Sequence, residues 1–388
     1  MKALTRVACL LVIVLVGMWP ALSRQDPGEI EVGVLFSSSG TMAQSEIPLK
    51  DATLLAIQQI NEGGGIFLPP ERRLMIRPVL ADGASRPAVF AKEAGHLLDR
   101  GVRVVFGCWT SDSRKAVIKA IEPRGGLLFY PVQFEGREQS PAVIYSGLTA
   151  NQQLFPALDY LRRNFGSRVY LVGSDYVYPR TTNQLCRRYL SRHGGSVVGE
   201  SYRPRGSVDF GPIVEAIKRS PCDAILNTIN GDSQKAFFEQ ALQARLGRPI
   251  MSLSLSETQA ATMGTSTDGH YAAWGYFSSL KTPQSVRFQR AFSMAYGADR
   301  VVDDPCQTAY SQVMAFAQAV SAAGTSEPGS LRRAMRALIL DTPAGLVRYD
   351  PKNLYCWRAI RIGRFKTGRA SIVWSSEVPI KPEPEPGL

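Results

Sequence analysis

Along the chain, short apolar runs of strand length alternate with longer stretches whose apolar residues recur at helical spacing. IEVGVLF (30–36) is followed by LKDATLLAIQQIN (49–61), RLMIRPVL (73–80) by AVFAKEAGHLLDR (88–100), and VRVVF (102–106) by SRKAVIKAIE (113–122), with GLLFYP (126–131) closing the series. Near-continuous apolar runs suit strands covered on both faces, and i, i+3, i+4 spacing gives a helix one buried stripe. The order predicts a parallel sheet flanked by helices. The rhythm restarts near residue 151, with NQQLFPALDYLRRNF as helix and RVYLVGSDY (168–176) as strand, and continues through CDAILNTING and DSQKAFFEQALQARL to RPIMSLSLS. The chain is therefore expected to be α/β, with two doubly wound parallel-sheet lobes.

Beyond residue 275 three helical stretches precede the strand-like GLVRYD, YCWRAIRIGRF and ASIVWSS, so the chain should cross between lobes more than once through a multi-strand hinge. The expected division is residues 29–146 with 275–345 in the first lobe, and 147–274 with 346–378 in the second. Residues 379–388, rich in proline, should form an extended tail on the surface.

The N-terminus carries Lys2 and Arg6, an apolar run from Ala8 to Trp19, then Pro20 and Ala21-Leu22-Ser23. This is the layout of a cleaved secretory signal over residues 1–23, too short for a spanning helix. Its removal leaves 43 basic against 33 acidic residues, a charge of about +10. The cations are scattered and not interleaved with aromatics, which argues against a nucleic-acid partner. Five cysteines remain (Cys108, Cys186, Cys222, Cys306, Cys356) without a C-x-x-C pair, and the three histidines are isolated. No metal or cofactor is expected.

In such sheets ligands sit beyond the carboxyl ends of the strands. The residues placed there include Ser37 to Thr41, GCWTS (107–111), Tyr130 to Gln133, Ser174 to Tyr178, Asn230 to Asp232 and Ser256-Glu257. No G-x-G-x-x-G or Walker A sequence is present. GCWTSDSRKAV admits three readings. A Cys108, Lys115, Glu135 nucleophile set runs in the reverse of the nitrilase order; a phosphate cradle lacks the glycines; a helix start capped by Thr110 or Ser111 fits, with free N–H groups facing the strand end. The protein is expected not to be an enzyme, with Cys108 a buried small residue and Arg114-Lys115 on the outer face of the helix.

SGTMAQSE (39–46), DGAS (82–85), VVFGCWTSDSRKAV, LLFYPVQFEG (127–136), GSDYVYPRT (173–181), NTINGDS (227–233) and IVWSSEVPIKPEP resemble the type I periplasmic solute-binding proteins of ABC transporters. GCWTS with YPVQFEG is most similar to the branch that binds urea and short-chain amides. The resemblance spans residues 30–383 and implies a periplasmic protein whose lobes close on a small neutral ligand for an inner-membrane permease. It implies that Ser111 meets the ligand carbonyl, that Trp109 forms a wall beside Thr110, and that Tyr130, Val132 and Gln133 line the first lobe. Tyr176 should close over the ligand with Tyr178 behind it, and Ser39, Asn230, Asp232 and Glu257 complete the set. A sensor that reports amide to a kinase, or a binder of branched-chain amino acids, would use the same fold. LSLSETQ (253–259) carries one acidic residue where urea binders often carry two or more.

Overall fold

The computed structural model describes residues 28–386; the expected signal segment, residues 1–23, lies outside them. The chain is a mixed α/β protein of two lobes built on parallel-dominated sheets. The first series runs β1 (Gly28–Phe36), α1 (Ala43–Glu62), β2 (Ile66–Leu68), β3 (Arg72–Asp82), α2 (Pro87–Asp99), β4 (Val104–Gly107), α3 (Ser111–Ile121), β5 (Leu127–Tyr130) and β6 (Val143–Tyr145). Their sheet has the order β2-β3-β1-β4-β5-β6, parallel from β3 to β6. Central β1 is buried from Val32 to Phe36 on both faces, which is why it reads as an unbroken apolar run. The strand order reverses at β1, so the crevice of this sheet opens beyond the ends of β1 and β4.

The second series is α4 (Ala150–Asn164), β7 (Arg168–Ser174), α5 (Val177–Arg192), β8 (Ser196–Arg203), α6 (Gly211–Arg219), β9 (Ala224–Thr228), α7 (Ser233–Gln243), β10 (Ile250–Ser252), α8 (Glu257–Ala260) and β11 (Tyr271–Trp274). Strands β8-β7-β9-β10-β11 are parallel, with the reversal between β7 and β9. The chain then returns to the first lobe as α9 (Pro283–Tyr296), α10 (Asp304–Ala323) and α11 (Pro328–Met335), with a small sheet of β12 (Ile339–Thr342), β13 (Gly345–Tyr349) and β14 (Cys356–Trp357). Antiparallel β15 (Arg361–Lys366) and β16 (Arg369–Ser375) finish the second sheet.

Two hydrophobic cores result, and Val347, Tyr349, Leu354, Tyr355 and Cys356 belong to the first. The final return to the second lobe therefore falls near residue 358, later than the boundary after 345. GLVRYD is a strand, but its partner is β12 of the first lobe. A second difference concerns α1, which starts at Ala43 and runs through Pro48 rather than starting after it. The Ser37 N–H on Glu46 Oε2 (2.7 Å) and the Met42 N–H on Ser85 Oγ (3.0 Å) fix the added turn.

The three crossings meet on one side chain. Arg358, on the third, pairs with Asp304 at the start of α10 and reaches the Ser146 carbonyl on the first (3.4 Å). Gly275, on the second, lies so close that an added Cβ would come 2.9 Å from Arg358 Nη2. Both charges of this pair are 2% exposed; breaking such a pair costs about 3–5 kcal/mol.

The tail is extended and held down. Prolines 382 and 386 are buried while Lys381, Glu383 and Glu385 are exposed, the two-residue alternation of an extended chain. Asn151 Nδ2 donates to the Lys381 carbonyl (2.8 Å) and the Arg137 N–H to the Pro384 carbonyl (2.7 Å). The tail thus braces the segment after β5 that carries Gln133 to Glu138.

Candidate functional site in the cleft between the lobes

Both sheets point the ends of their reversal strands into the junction between the lobes. On the first side β4 ends at Gly107, and Cys108 turns the chain with a left-handed φ of 68°, a conformation that costs a residue with a Cβ about 1–2 kcal/mol. The turn throws Trp109 inward and sets Thr110 as the cap of α3, its hydroxyl accepting from the Ser113 N–H (3.4 Å). On the second side the Asn230 N–H donates to Ser174 Oγ (3.0 Å), joining the loops after β9 and β7. The two sides meet where the Trp109 indole N–H donates to Asn230 Oδ1 (3.1 Å). Gln133 Nε2 reaches Ser254 Oγ (3.4 Å) across the same junction.

Behind Trp109 lies a buried charged network. The Ser111 hydroxyl donates to Glu135 Oε2 (2.6 Å) and accepts from Arg114 Nη1 (3.0 Å). Arg114 is 0% exposed, donates to Glu138 (2.8 Å), and lies against the rings of Tyr130 (4.8 Å) and Phe134 (4.7 Å). Its place on an outer face is corrected: Ser111, Arg114, Val117 and Ile121 form the buried stripe of α3. Lys115 pairs with Glu138 (3.0 Å). Burial raises the Glu138 pKa, but Arg114 and Lys115 outweigh it and bring it down to about 2. The Tyr130 hydroxyl donates to the Trp109 carbonyl, locking the wall to the sheet.

At the outer edge Arg205, in the loop after β8, forks onto Asp112 of α3 (2.7 and 3.0 Å) and lies over the Tyr176 ring (4.5 Å). Glu46, fully buried, has its pKa raised to about 8 by burial against the weaker pull of the Ser37 N–H, so it is protonated at neutral pH. The cations of this region, Arg114, Lys115 and Arg205, are each paired with Glu135, Glu138 or Asp112. The cleft is formally neutral.

Four buried polar atoms at this junction make no hydrogen bond: Gln133 Oε1, Tyr178 Oη, Thr182 Oγ1 and Glu135 Oε1, the last still within ion-pair distance of Arg114 (3.5 Å) and Lys115 (3.9 Å). The phenol of Tyr178 faces Gln133, Ser254 and Thr182; burial above all, and then the charge of Glu135, disfavours its ionisation. Buried polar groups are nearly always satisfied, so such a cluster marks a place built to receive hydrogen bonds.

Of the expected residues, Trp109, Ser111, Tyr130, Gln133, Tyr178 and Asn230 are brought together at the junction, with Tyr176 half-buried at its edge. Thr110 serves as the helix cap, and Val132 is buried with its carbonyl turned to Gly147. Ser39 is exposed and donates to Asp82 Oδ2 (2.8 Å). Asp232 has an exposed side chain; its backbone N–H joins Thr41 of the first lobe (3.1 Å), where Gly231 leaves no room for a Cβ. Glu257 lies elsewhere, taking the Ser278 and Ala370 N–H groups (2.6 and 3.1 Å) and supporting β16. The five cysteines among the described residues are free and buried, and burial pushes the Cys108 thiol well above its ordinary value, against a nucleophilic role. Among the described residues no group of three or more His, Cys, Asp or Glu is placed to hold a metal, and no helix is long and apolar enough to cross a membrane.

A cavity of about 860 Å³ lies at the opposite end of the first sheet, lined by Glu29, Arg72, Arg103 and Glu327 among others. It sits at the amino ends of the strands, away from the convergent loops.

A family model for the periplasmic binding protein domain matches residues 30–386. The chain belongs to this family. A Leu/Ile/Val-binding protein of Rhizobium johnstonii is 24% identical to this periplasmic binding protein over 86% of the present chain and 93% of its own. A solute-binding protein of an ABC transporter from R. palustris, solved with 4-hydroxybenzoate, superposes with a TM-score of 0.81 at 20% identity, covering 91% of this chain and 98% of the other. A partial match at 28% identity joins 30% of this chain to 21% of a limonene hydroxylase of Geobacillus stearothermophilus.

Proposed function

We propose that this periplasmic binding protein is the solute-binding component of an ABC transporter and captures urea or a short-chain amide between its lobes for a membrane permease. The observation that carries the reading is the match between the unpaired atoms and the ligand. Gln133 Oε1 can accept a hydrogen bond, Glu135 Oε1 can accept one beside its ion pairs, and the Tyr178 phenol can donate one. An amide offers N–H donors to the first two and a carbonyl to the third. Trp109 and Tyr130 supply flat, apolar walls, with Tyr176 at the edge.

The relatives bind Leu/Ile/Val or 4-hydroxybenzoate, ligands that carry a carboxylate. Here every cation of the cleft is already held by a carboxylate, and the Gln133 Oε1 acceptor, which takes no hydrogen bond, would repel a further anion. With its cations already paired, the cleft favours a solute without a carboxylate over one that carries it, zwitterionic amino acids included. Urea has few atoms; at a ceiling of about 1.5 kcal/mol per heavy atom its affinity reaches about 6 kcal/mol, a Kd of tens of micromolar.

The test is titration of wild type, Gln133→Leu and Tyr178→Phe with urea and acetamide. Each variant is expected to lose about tenfold in affinity for the ligand that wild type binds. Unchanged affinity in both would place the ligand elsewhere.

A further inference from the structure

The two lobes face each other with mostly neutral contacts: Gln44 on Thr262 (2.8 Å), the Asp232 N–H on the Thr41 carbonyl, and Trp109 on Asn230. Arg205 and Asp112 are different. Among the described residues theirs is the one ion pair joining the facing surfaces away from the hinge. Each half is prepared within its own lobe. Asp112 sits in the first turn of α3, where the helix dipole favours a carboxylate and the Ser113 N–H holds one oxygen (3.0 Å). Arg205 lies over Tyr176, on the lobe that supplies it.

The fit is also close. The bond is bidentate, and the side chains retain only 17% and 25% of their exposure. Gly206, next in sequence, has φ of 83°, and a Cβ there would come 3.0 Å from Thr41 of the first lobe. The loop is shaped to bring a guanidinium against the opposite lobe.

We propose that Arg205 is a cross-cleft latch: a positioning residue whose fork onto Asp112 forms as the lobes meet, holds the cleft shut with or without ligand, and seats the Tyr176 ring at its edge. The inference rests on the cleft being the binding site, and it is independent of which solute is bound. A bidentate, partly dehydrated pair acts mainly on dissociation. Its loss should shorten the life of the complex more than it slows encounter.

The experiment compares wild type, Arg205→Ala, Arg205→Lys, Asp112→Asn and the double variant Arg205→Ala/Asp112→Asn. X-ray scattering of the ligand-free chain and stopped-flow dissociation of urea are the readouts, at low and high salt. Arg205→Ala is expected to shift scattering toward a more open chain and to speed dissociation on the order of tenfold. Arg205→Lys should recover part of this, and the double variant should be no worse than the worse single one. Salt should speed dissociation in wild type and leave the variants little changed. The thermal midpoint of the ligand-free chain should stay near wild type, since each half belongs to a separate lobe. If urea fails to bind wild type but Arg205→Ala still opens the ligand-free chain, the latch stands and the urea reading falls. If Arg205→Ala alters neither scattering nor dissociation, or lowers the ligand-free midpoint as much as it weakens binding, the latch is overturned.

Discussion

Arg114→Met removes the charge at the centre of the buried network and keeps an unbranched side chain between Tyr130 and Phe134. The loss can be worked from Glu138. Burial alone would raise its pKa, yet Arg114 and Lys115 bring it from 4.5 to about 2. At about 1.4 kcal/mol per unit the net shift is worth roughly 3 kcal/mol at neutral pH. The contacts with the two rings add about 0.5–1 kcal/mol each, part of which methionine retains. Because Lys115 stays on Glu138 (3.0 Å) and keeps part of that shift, the total expected is about 2–4 kcal/mol, at or below the usual cost of breaking a buried pair. The assay is guanidinium unfolding of both proteins between pH 7 and pH 3. A carboxylate with a depressed folded pKa contributes stability above its unfolded pKa and loses it as pH falls through the folded one. The gap between the proteins should therefore narrow toward pH 3. A loss below about 1 kcal/mol at pH 7, or a gap that stays constant with pH, would mean that Arg114 does not hold Glu138 ionised.

Glu46→Gln should change the pH dependence in the opposite sense. The folded pKa of Glu46 is raised to about 8 by burial, so wild type loses stability as pH rises from about 4.5 to 8; in guanidinium unfolding the variant should gain on wild type across that window and hold a constant margin above it. Ending the chain at Lys381 removes Pro382, Pro386 and the bond to the Arg137 N–H. Limited trypsin digestion should then cut at exposed Arg137 at least several-fold faster, with the rest of the first lobe still protected.

The alternation of apolar runs made the layered α/β architecture legible, because buried strands of a parallel sheet have no polar face to disguise them. The strand ends were legible for the same reason, and with them Trp109, Gln133 and Asn230. The start of α1 was hidden by Pro48, which usually ends a helix reading; only the tertiary bond from Ser37 to Glu46 shows why the turn forms. Arg114 could have been found, since Ser111, Arg114, Val117 and Ile121 follow helical spacing; its charge argued for the surface, and the burial depends on Glu135 and Glu138 lying across the strand ends. Arg205 has no local signal. Its partner stands 93 residues earlier in the opposite lobe, a distance that periodicity does not reach. The role expected for Glu257 was carried by position after a strand, but its carboxylate turns toward Ser278 and Ala370.

On the proposed reading the cleft selects a neutral, planar amide. Protein unfolded in guanidinium, dialysed free of bound solute and refolded should be titrated by calorimetry with urea, acetamide, isoleucine and 4-hydroxybenzoate under one set of conditions. Saturable heat from urea or acetamide, and none from the two carboxylates at the same concentrations, is the expected result. Binding of isoleucine or 4-hydroxybenzoate with no response to either amide would contradict it.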